Sequence, residues 1–104
     1  MGVDRVEKKP ADCTTIEEIR AEIDRLDQAV VALIGKRFQY VVAGAKFKGT
    51  TASVRAPERF AAMLRQRRTW AEEAGLKPDV IEKLFRDLVN HFIFIEDEIK
   101  KLRR

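Results

Sequence analysis

The stretch TTIEEIRAEIDRLDQAVVAL, residues 14–33, decides the fold. Its apolar residues recur at alternating spacings of three and four, which is the pattern of an amphipathic α-helix. Two overlapping capping boxes precede them, Thr14 with Glu17 and Thr15 with Glu18, and either can begin the helix. The stretch therefore predicts a long first helix. Its inward residues are expected to be Ile16, Ile19, Ile23, Leu26, Val30 and Leu33.

Glycine and proline divide the rest of the chain. Gly35 and Gly44 weaken a helix by roughly 1 kcal/mol each, so the first helix is expected to continue until Gly49. Residues 49–56 read as a loop, and Pro57 fits the first turn of a second helix. That helix is expected to stop at Gly75, and a capping box of Asp79 with Glu82 opens a third. The sequence predicts an all-α fold with one long, one short and one long helix. The inward residues predicted for the second and third helices are Phe60, Met63, Leu64, Ala71, Ala74, Ile81, Leu84, Phe85, Leu88, Phe92, Ile99 and Leu102.

The length of 104 residues fits one domain, which we place at residues 13–104 after a flexible tail of residues 1–12. Cys13 is the sole cysteine and His91 the sole histidine, so neither a disulfide nor a zinc site is expected. The amino terminus is charged and no apolar run is long enough to cross a bilayer. We therefore expect a cytoplasmic protein without a metal site or membrane contact.

The first helix is too long for a compact monomer. About 34 residues at 1.5 Å each give on the order of 50 Å. A globule of this size has a radius of gyration of only about 13 Å. Its apolar stripe needs a cover that two further helices cannot fully supply. The sequence therefore predicts an intertwined homodimer.

Three charged residues interrupt the apolar stripes. Arg37 shares the face of Leu33 and Val41, Lys48 follows Arg37 by three turns, and Glu96 lies on the inner face of the third helix. Long side chains that reach the solvent, or a buried Arg–Glu pair, would explain them structurally. Together they indicate a pocket that binds an anion through Arg and Lys donors. If Glu96 is shielded from water, its pKa would rise and the neutral acid could donate a hydrogen bond.

Arg20 lies at the margin of the first stripe, seventeen residues before Arg37. This separation is roughly 25 Å along one helix, so the two guanidinium groups cannot hold one small ligand within a chain. In an antiparallel dimer the start of one long helix lies beside the middle of the other. The dimer would therefore bring Arg20 of one chain towards Arg37 of its partner, although for Arg20 taken alone a surface position is the simpler interpretation.

These motifs carry a family resemblance. IRAEID with Arg20, GKRF with Arg37, KFK ending in Lys48 and APER at residues 56–59 resemble the AroQ-type (type II) chorismate mutases. DCTTIEEIR, APERFAAML, RRTWAEEAGL and the NHFI stretch are similar, more narrowly, to the isochorismate pyruvate lyases of that family. The resemblance covers residues 11–99. It implies an entwined all-α dimer with two equivalent sites for a small dianionic substrate.

The resemblance also implies roles. Arg20 would enter the site from the partner chain, and Arg37 and Arg59 would bind substrate carboxylates. Lys48 would hydrogen-bond the ether bridge that breaks, and Glu96 would contact the substrate. Residues 49–56 would cover the site as a lid. The expected main reaction converts isochorismate to salicylate and pyruvate, with chorismate to prephenate as a second or competing activity, and neither needs a cofactor.

The chain departs from the family pattern at three places. Glu96 stands where the lyases and many mutases have Gln, which puts the rate at neutral pH in question. Ala56 and Phe60 replace the Asp and Glu that are typical of mutases, and this apolar pattern is that of the lyases. Arg55 adds a charge to the lid, where a solvated loop side chain is the simpler interpretation.

The sequence leaves two other classes of function open. A nucleic-acid binder could use the basic residues of the second helix and the carboxyl-terminal tail, but no recognition motif or stacking aromatics accompany them. A catalytically silent regulator of the same fold would bind substrate without turnover. Met63 and Trp70 are expected in the core, His91 is expected to be structural, and Cys13 a buried or tail thiol. The basic residues in question are Arg65, Arg67, Arg68, Lys100, Lys101, Arg103 and Arg104.

Overall fold

The structure is a computed structural model that describes residues 7–47 and 57–102, with the backbone alone for residues 93–101. These ranges consist of helices joined by short turns and contain no strand. The long, short, long order predicted from the sequence is therefore confirmed. The elements are a 3₁₀ turn at Pro10–Asp12, α1 at Ile16–Gly44, a second 3₁₀ turn at Ala45–Phe47, α2 at Pro57–Glu73 and α3 at Pro78–Leu102.

The first helix begins with the second of the two predicted capping boxes. The backbone N–H of Glu18 donates to Thr15 Oγ1 at 3.1 Å, and the N–H of Thr15 donates to Glu18 Oε1 at 3.2 Å. The same oxygen accepts from the N–H and the hydroxyl of Thr14, at 2.6 and 3.0 Å. This reciprocal pairing satisfies backbone donors that the first turn of a helix leaves without partners.

The first helix ends earlier than predicted. α1 stops at Gly44, and Ala45–Phe47 tighten into a 3₁₀ turn. The prediction that Gly44 would not end the helix was wrong, because glycine and a tightened last turn together suit a helix end. The predicted three turns between Arg37 and Lys48 assume one continuous α-helix, and this helix continues only to Gly44. Lys48 and the predicted lid at residues 49–56 lie outside the described residues, so their direction and role stay predictions.

The chain divides into two compact units, Met1–Arg37 and Phe38–Arg104. In the second unit α2 packs against α3. The buried apolar side chains on α2 are Met63, Leu64 and Ala71, all predicted to face inward. Ala74, also predicted inward, is exposed, because it lies beyond the last helical residue at the turn.

The turn after α2 follows the glycine prediction. Gly75 has a φ of 78°, in the left-handed region. The N–H of Leu76 donates to the Ala71 carbonyl at 2.8 Å, and the N–H of Gly75 donates to the Glu72 carbonyl at 3.1 Å. These two bonds are those of a Schellman motif, which satisfies the last carbonyls of a helix. The predicted stop at Gly75 is therefore confirmed.

The third helix begins one residue before the predicted capping box. Pro78 occupies its first position, where the missing N–H costs nothing. Asp79 therefore lies inside the first turn, and the prediction that it caps the helix with Glu82 was wrong. Both carboxylates accept instead from Arg68 Nη1 of α2, each at 2.7 Å. This two-way contact joins α2 to the start of α3.

Gly75→Ala is expected to lower the free energy of unfolding by about 1 kcal/mol, because an L side chain is strained at positive φ. Gly35 supplies the matched control, since a Cβ there would meet nothing within 4 Å in the middle of α1. Gly35→Ala should raise the free energy of unfolding by up to about 1 kcal/mol. Urea unfolding followed by circular dichroism, at equal protein concentrations, measures both. If the two substitutions changed the free energy of unfolding by the same amount and in the same direction, this explanation of the turn would be contradicted.

Candidate active site

Two of the predicted site residues lie on α1 in the first unit. Arg20 is exposed, and Arg37 is half-buried. Because α1 runs without interruption from Ile16 to Gly44, the seventeen residues between them correspond to about 25 Å along the helix axis. One chain therefore does not bring these two guanidinium groups to the same small ligand.

Arg59 lies in the first turn of α2, in the second unit. Pro57 begins this helix, and Arg59 is exposed. Its neighbour Phe60 is half-buried, and the guanidinium carbon of Arg86 lies 5.5 Å from the centre of the Phe60 ring. The cation on the aromatic face ties the start of α2 to α3.

The carboxyl predicted for the site belongs to α3. Glu96 lies within the helical backbone of Pro78–Leu102, but its side chain is outside the described residues. One turn earlier, Phe92 stacks on Phe38, with ring centres 4.5 Å apart and planes at 29°. This ring pair joins the last part of α1 to α3 within the second unit. It places the residue after Arg37 in contact with the helix that carries Glu96.

The structure reveals a charge network that sequence reasoning missed. Arg68 joins Asp79 and Glu82, and Glu82 also pairs with Arg86 at 2.5 Å. The Arg86 and Arg68 guanidinium groups lower the pKa of Glu82, and the two carboxylates raise the pKa of Arg68. An open groove of about 230 Å³ beside this network is lined by Asp79, Glu82, Lys83 and Arg86. Its cations already face carboxylates, so it does not resemble a site for a dianion.

Arg67 of α2 makes two cation–π contacts. Its guanidinium carbon lies 4.6 Å from the Trp70 ring centre and 5.5 Å from that of Phe85. Trp70 is 48% exposed, so its predicted place in the core was wrong. The guanidinium of Arg67, and not the side chains of the core, covers part of the Trp70 indole. Arg67 and Arg68, two residues proposed for nucleic-acid contact, are thus engaged within the fold.

The chemistry available elsewhere is limited. Within the two described ranges, no group of three His, Cys, Asp or Glu side chains is placed to hold a metal ion. His91 is exposed and tilts against Phe92, with ring centres 5.4 Å apart. Cys13 is half-buried, and its thiol donates to the Lys9 carbonyl at 3.6 Å. Across the helices that the structure describes, no segment has the length and apolar character needed to span a membrane.

Comparison with known families gives the first functional information. The family model for chorismate mutase type II matches residues 19–97. The chain belongs to the type II chorismate mutase family. The matched range includes every residue predicted for the site, from Arg20 to Glu96. The resemblance inferred from the sequence motifs is thereby confirmed at the level of the family.

The relatives differ in how much of their length the chain covers. An isochorismate pyruvate lyase of Pseudomonas aeruginosa is 43% identical over 97 residues, 93% of this chain and 94% of the relative. The T-protein of Haemophilus influenzae is 40% identical over 72 residues, 68% of this chain and 19% of the relative. That of Enterobacter agglomerans is 33% identical over 77% of this chain and 22% of the relative. The chain thus spans about a fifth of either T-protein, and nearly the whole lyase.

Proposed function

We propose that the chain is an isochorismate pyruvate lyase, which converts isochorismate to salicylate and pyruvate, with chorismate to prephenate as a weaker second activity. The observation that carries this proposal is the similarity to a lyase over 93% of one chain and 94% of the other. Chorismate mutase as the main activity is the second candidate, since the family model bears that name. The apolar Phe60 at the start of α2 favours the lyase.

We propose that the active molecule is a homodimer. Five apolar residues of the predicted α1 stripe are between 48% and 64% exposed in the single chain. A row of this kind at helical spacing marks an interaction surface. A second copy of the chain is the proposed cover, because it would also supply the missing arginine of each site. The five residues are Ile16, Ile23, Leu26, Val30 and Leu33.

The proposed site combines residues of both chains. Arg37 and Arg59 of one chain and Arg20 of its partner would bind the two carboxylates of the substrate, with the bidentate geometry that suits guanidinium and carboxylate groups. Lys48 would donate to the ether oxygen, and Glu96 would hydrogen-bond the substrate. The roughly 25 Å between Arg20 and Arg37 along α1 supports the contribution from the partner.

The reaction requires positioning and charge stabilisation. In isochorismate the bond between the ring and the ether oxygen breaks, and a ring hydrogen passes to the methylene carbon of the enolpyruvyl group. The products are aromatic salicylate and pyruvate, so atoms and electrons balance without an oxidant. Arg side chains would hold the two carboxylates in the reactive conformer, and the ammonium group of Lys48 would stabilise the charge that develops on the ether oxygen.

Glu96→Gln is expected to flatten the dependence of the lyase rate on pH. Only a neutral carboxyl can donate a hydrogen bond to the substrate, so the parent rate should fall as pH rises and the acid ionises. Glutamine keeps an N–H donor at every pH. Glu98→Gln is the matched control, because helical spacing places it on another face of α3. Rates of salicylate formation between pH 5 and 9 measure the effect. A Glu96→Gln variant with the parent's pH profile would remove the neutral-acid role.

The proposed activity is tested by incubating the purified protein with isochorismate and measuring salicylate and pyruvate separately. We expect both products in equal amounts. Binding of isochorismate without turnover would identify a silent homologue and contradict the proposal. The predicted cytoplasmic location stays a prediction.

A further inference from the structure

The segment before α1 folds back along this helix. We call residues 7–15, the described part of this segment, the arm. Its 3₁₀ turn is closed by the N–H of Asp12, which donates to the Lys9 carbonyl at 2.9 Å, and by that of Cys13, which donates to the Pro10 carbonyl at 3.3 Å. The turn redirects the chain, so the residues before it lie beside the helix that follows.

Two ion pairs join the arm to α1. Lys8 Nζ pairs with Glu18 Oε2, and Glu7 Oε2 lies 3.7 Å from Arg25 Nη2. Arg25 is itself oriented by Glu22, whose Oε1 accepts from Nε at 3.0 Å. The arm is therefore attached to both the first and the third turn of α1.

Glu18 is the centre of these contacts. One of its carboxylate oxygens accepts from Lys8, and the other accepts from Thr14 and Thr15 in the helix cap. The Lys8 ammonium, followed by the donors of Thr14, lowers the pKa of Glu18 to about 2. The carboxylate is thus charged at neutral pH and links the arm, the cap and the helix.

Arg20 lies between the two attachments, two residues after Glu18 and five before Arg25. Its side chain is exposed, and no carboxylate of the described residues pairs with it. The start of a helix lacks its full set of backbone hydrogen bonds and frays first. Arg20 would therefore reach a site in the partner chain from a helix end that depends on the arm for its order.

We propose that the arm is a positioning element for Arg20: Lys8, through Glu18, holds the first turns of α1 so that Arg20 is presented to the anionic substrate in the partner's site. This inference rests on the proposed function and adds two positioning residues to it. Neither Lys8 nor Glu18 touches the substrate in this scheme. Their effect passes through the backbone that carries Arg20.

Lys8→Met tests the proposal, with the adjacent Lys9→Met as the matched control. Lys9 takes part in the turn through its carbonyl group, which the substitution leaves in place. We expect Lys8→Met to raise KM for isochorismate by about threefold to fivefold, the range of a surface ion pair, with kcat nearly unchanged. Lys9→Met should leave both constants within experimental error. An unchanged KM in Lys8→Met would overturn the proposal.

A double-mutant cycle separates positioning from general stabilisation. In the Arg20→Ala background Lys8→Met should no longer change kcat/KM, because the residue through which it acts is gone. The same loss of kcat/KM with and without Arg20 would show that Lys8 acts elsewhere, and would refute the positioning role. kcat/KM remains measurable at high enzyme concentration even when Arg20→Ala is slow.

Hydrogen exchange provides a readout that does not depend on activity. Backbone amides in the first turns of α1 should exchange several-fold faster in Lys8→Met than in the parent or in Lys9→Met. If the parent protein shows no turnover while this exchange pattern holds, the proposed function fails, but the arm still stabilises the start of α1. If the exchange rates of all three proteins agree, Lys8 does not stabilise the start of α1, and the inference fails whatever the activity.

Discussion

A one-to-one mixture of the Arg20→Ala and Arg37→Ala variants is expected to regain about a quarter of the parent's lyase activity when the chains are refolded together. Each variant alone should lose about 10²–10³-fold in kcat/KM, since each removes a charged donor to a substrate carboxylate. Recovery is expected because the two arginines of one site would come from different chains. The unbroken α1 between Ile16 and Gly44 makes any other arrangement of these two residues at one ligand difficult.

The size of the recovery follows from the symmetry of the dimer. Random association gives about half mixed dimers. In each mixed dimer one site has both arginines and the other has neither. One intact site in half of the dimers is about a quarter of the sites in the parent.

The mixture of Arg37→Ala with Arg59→Ala is the matched control. Both residues are proposed to serve the site of their own chain, so every site in this mixture lacks one of them. Its activity should stay at the level of the single variants. Recovery in this control equal to that of the first mixture, or no recovery in either, would contradict the shared site.

Lys48→Ala is expected to lower kcat for isochorismate by about 10³-fold. The ether oxygen gains negative charge only as its bond to the ring breaks, so a donor to that oxygen stabilises the transition state more than the bound substrate. The loss should therefore fall on kcat, with a small change in KM.

Lys46→Ala is the control for Lys48→Ala. Lys46 carries the same charge two residues earlier, and its Nζ lies 5.3 Å from the centre of the Phe47 ring. It should keep kcat within about twofold of the parent, as expected for an exposed surface side chain. Salicylate formation under saturating substrate gives kcat for both variants. Parent-like turnover by Lys48→Ala would end the proposed catalytic role of this lysine.

The order of the helices and the place of most helix ends could be predicted from the sequence, because each depends on local chemistry. The capping box of Thr15 with Glu18 and the left-handed Gly75 need only a few neighbouring residues. The pattern of threes and fours in α1 likewise reports a single helix face.

Two of the errors arise where another side chain takes a group that the pattern assigned elsewhere. Asp79 has the spacing of a helix cap, but Pro78 begins the helix earlier and Arg68 takes the carboxylate. Trp70 has the position of a core residue, but it is 48% exposed and its ring is covered in part by Arg67. The Arg68–Asp79 contact spans eleven residues, whereas Arg67 and Trp70 are only three residues apart on one helix.

The candidate site could be predicted as a set of residues but not as a geometry. Arg20 and Arg37 are found on α1 and Arg59 on α2, all on helices as expected. What would bring them together is a second chain, and sequence periodicity reports an apolar face without specifying its partner. Lys48 and the side chain of Glu96 lie outside the described residues, so their roles stay predictions.

The central claim is that this member of the chorismate mutase family is a lyase. It is tested most directly by supplying isochorismate and chorismate together in equal amounts and following salicylate, pyruvate and prephenate in the same reaction. Because both substrates compete for one site, the ratio of initial rates equals the ratio of their kcat/KM values. We predict that salicylate and pyruvate form in equal amounts and well ahead of prephenate. Prephenate as the main product would contradict the claim and identify a mutase.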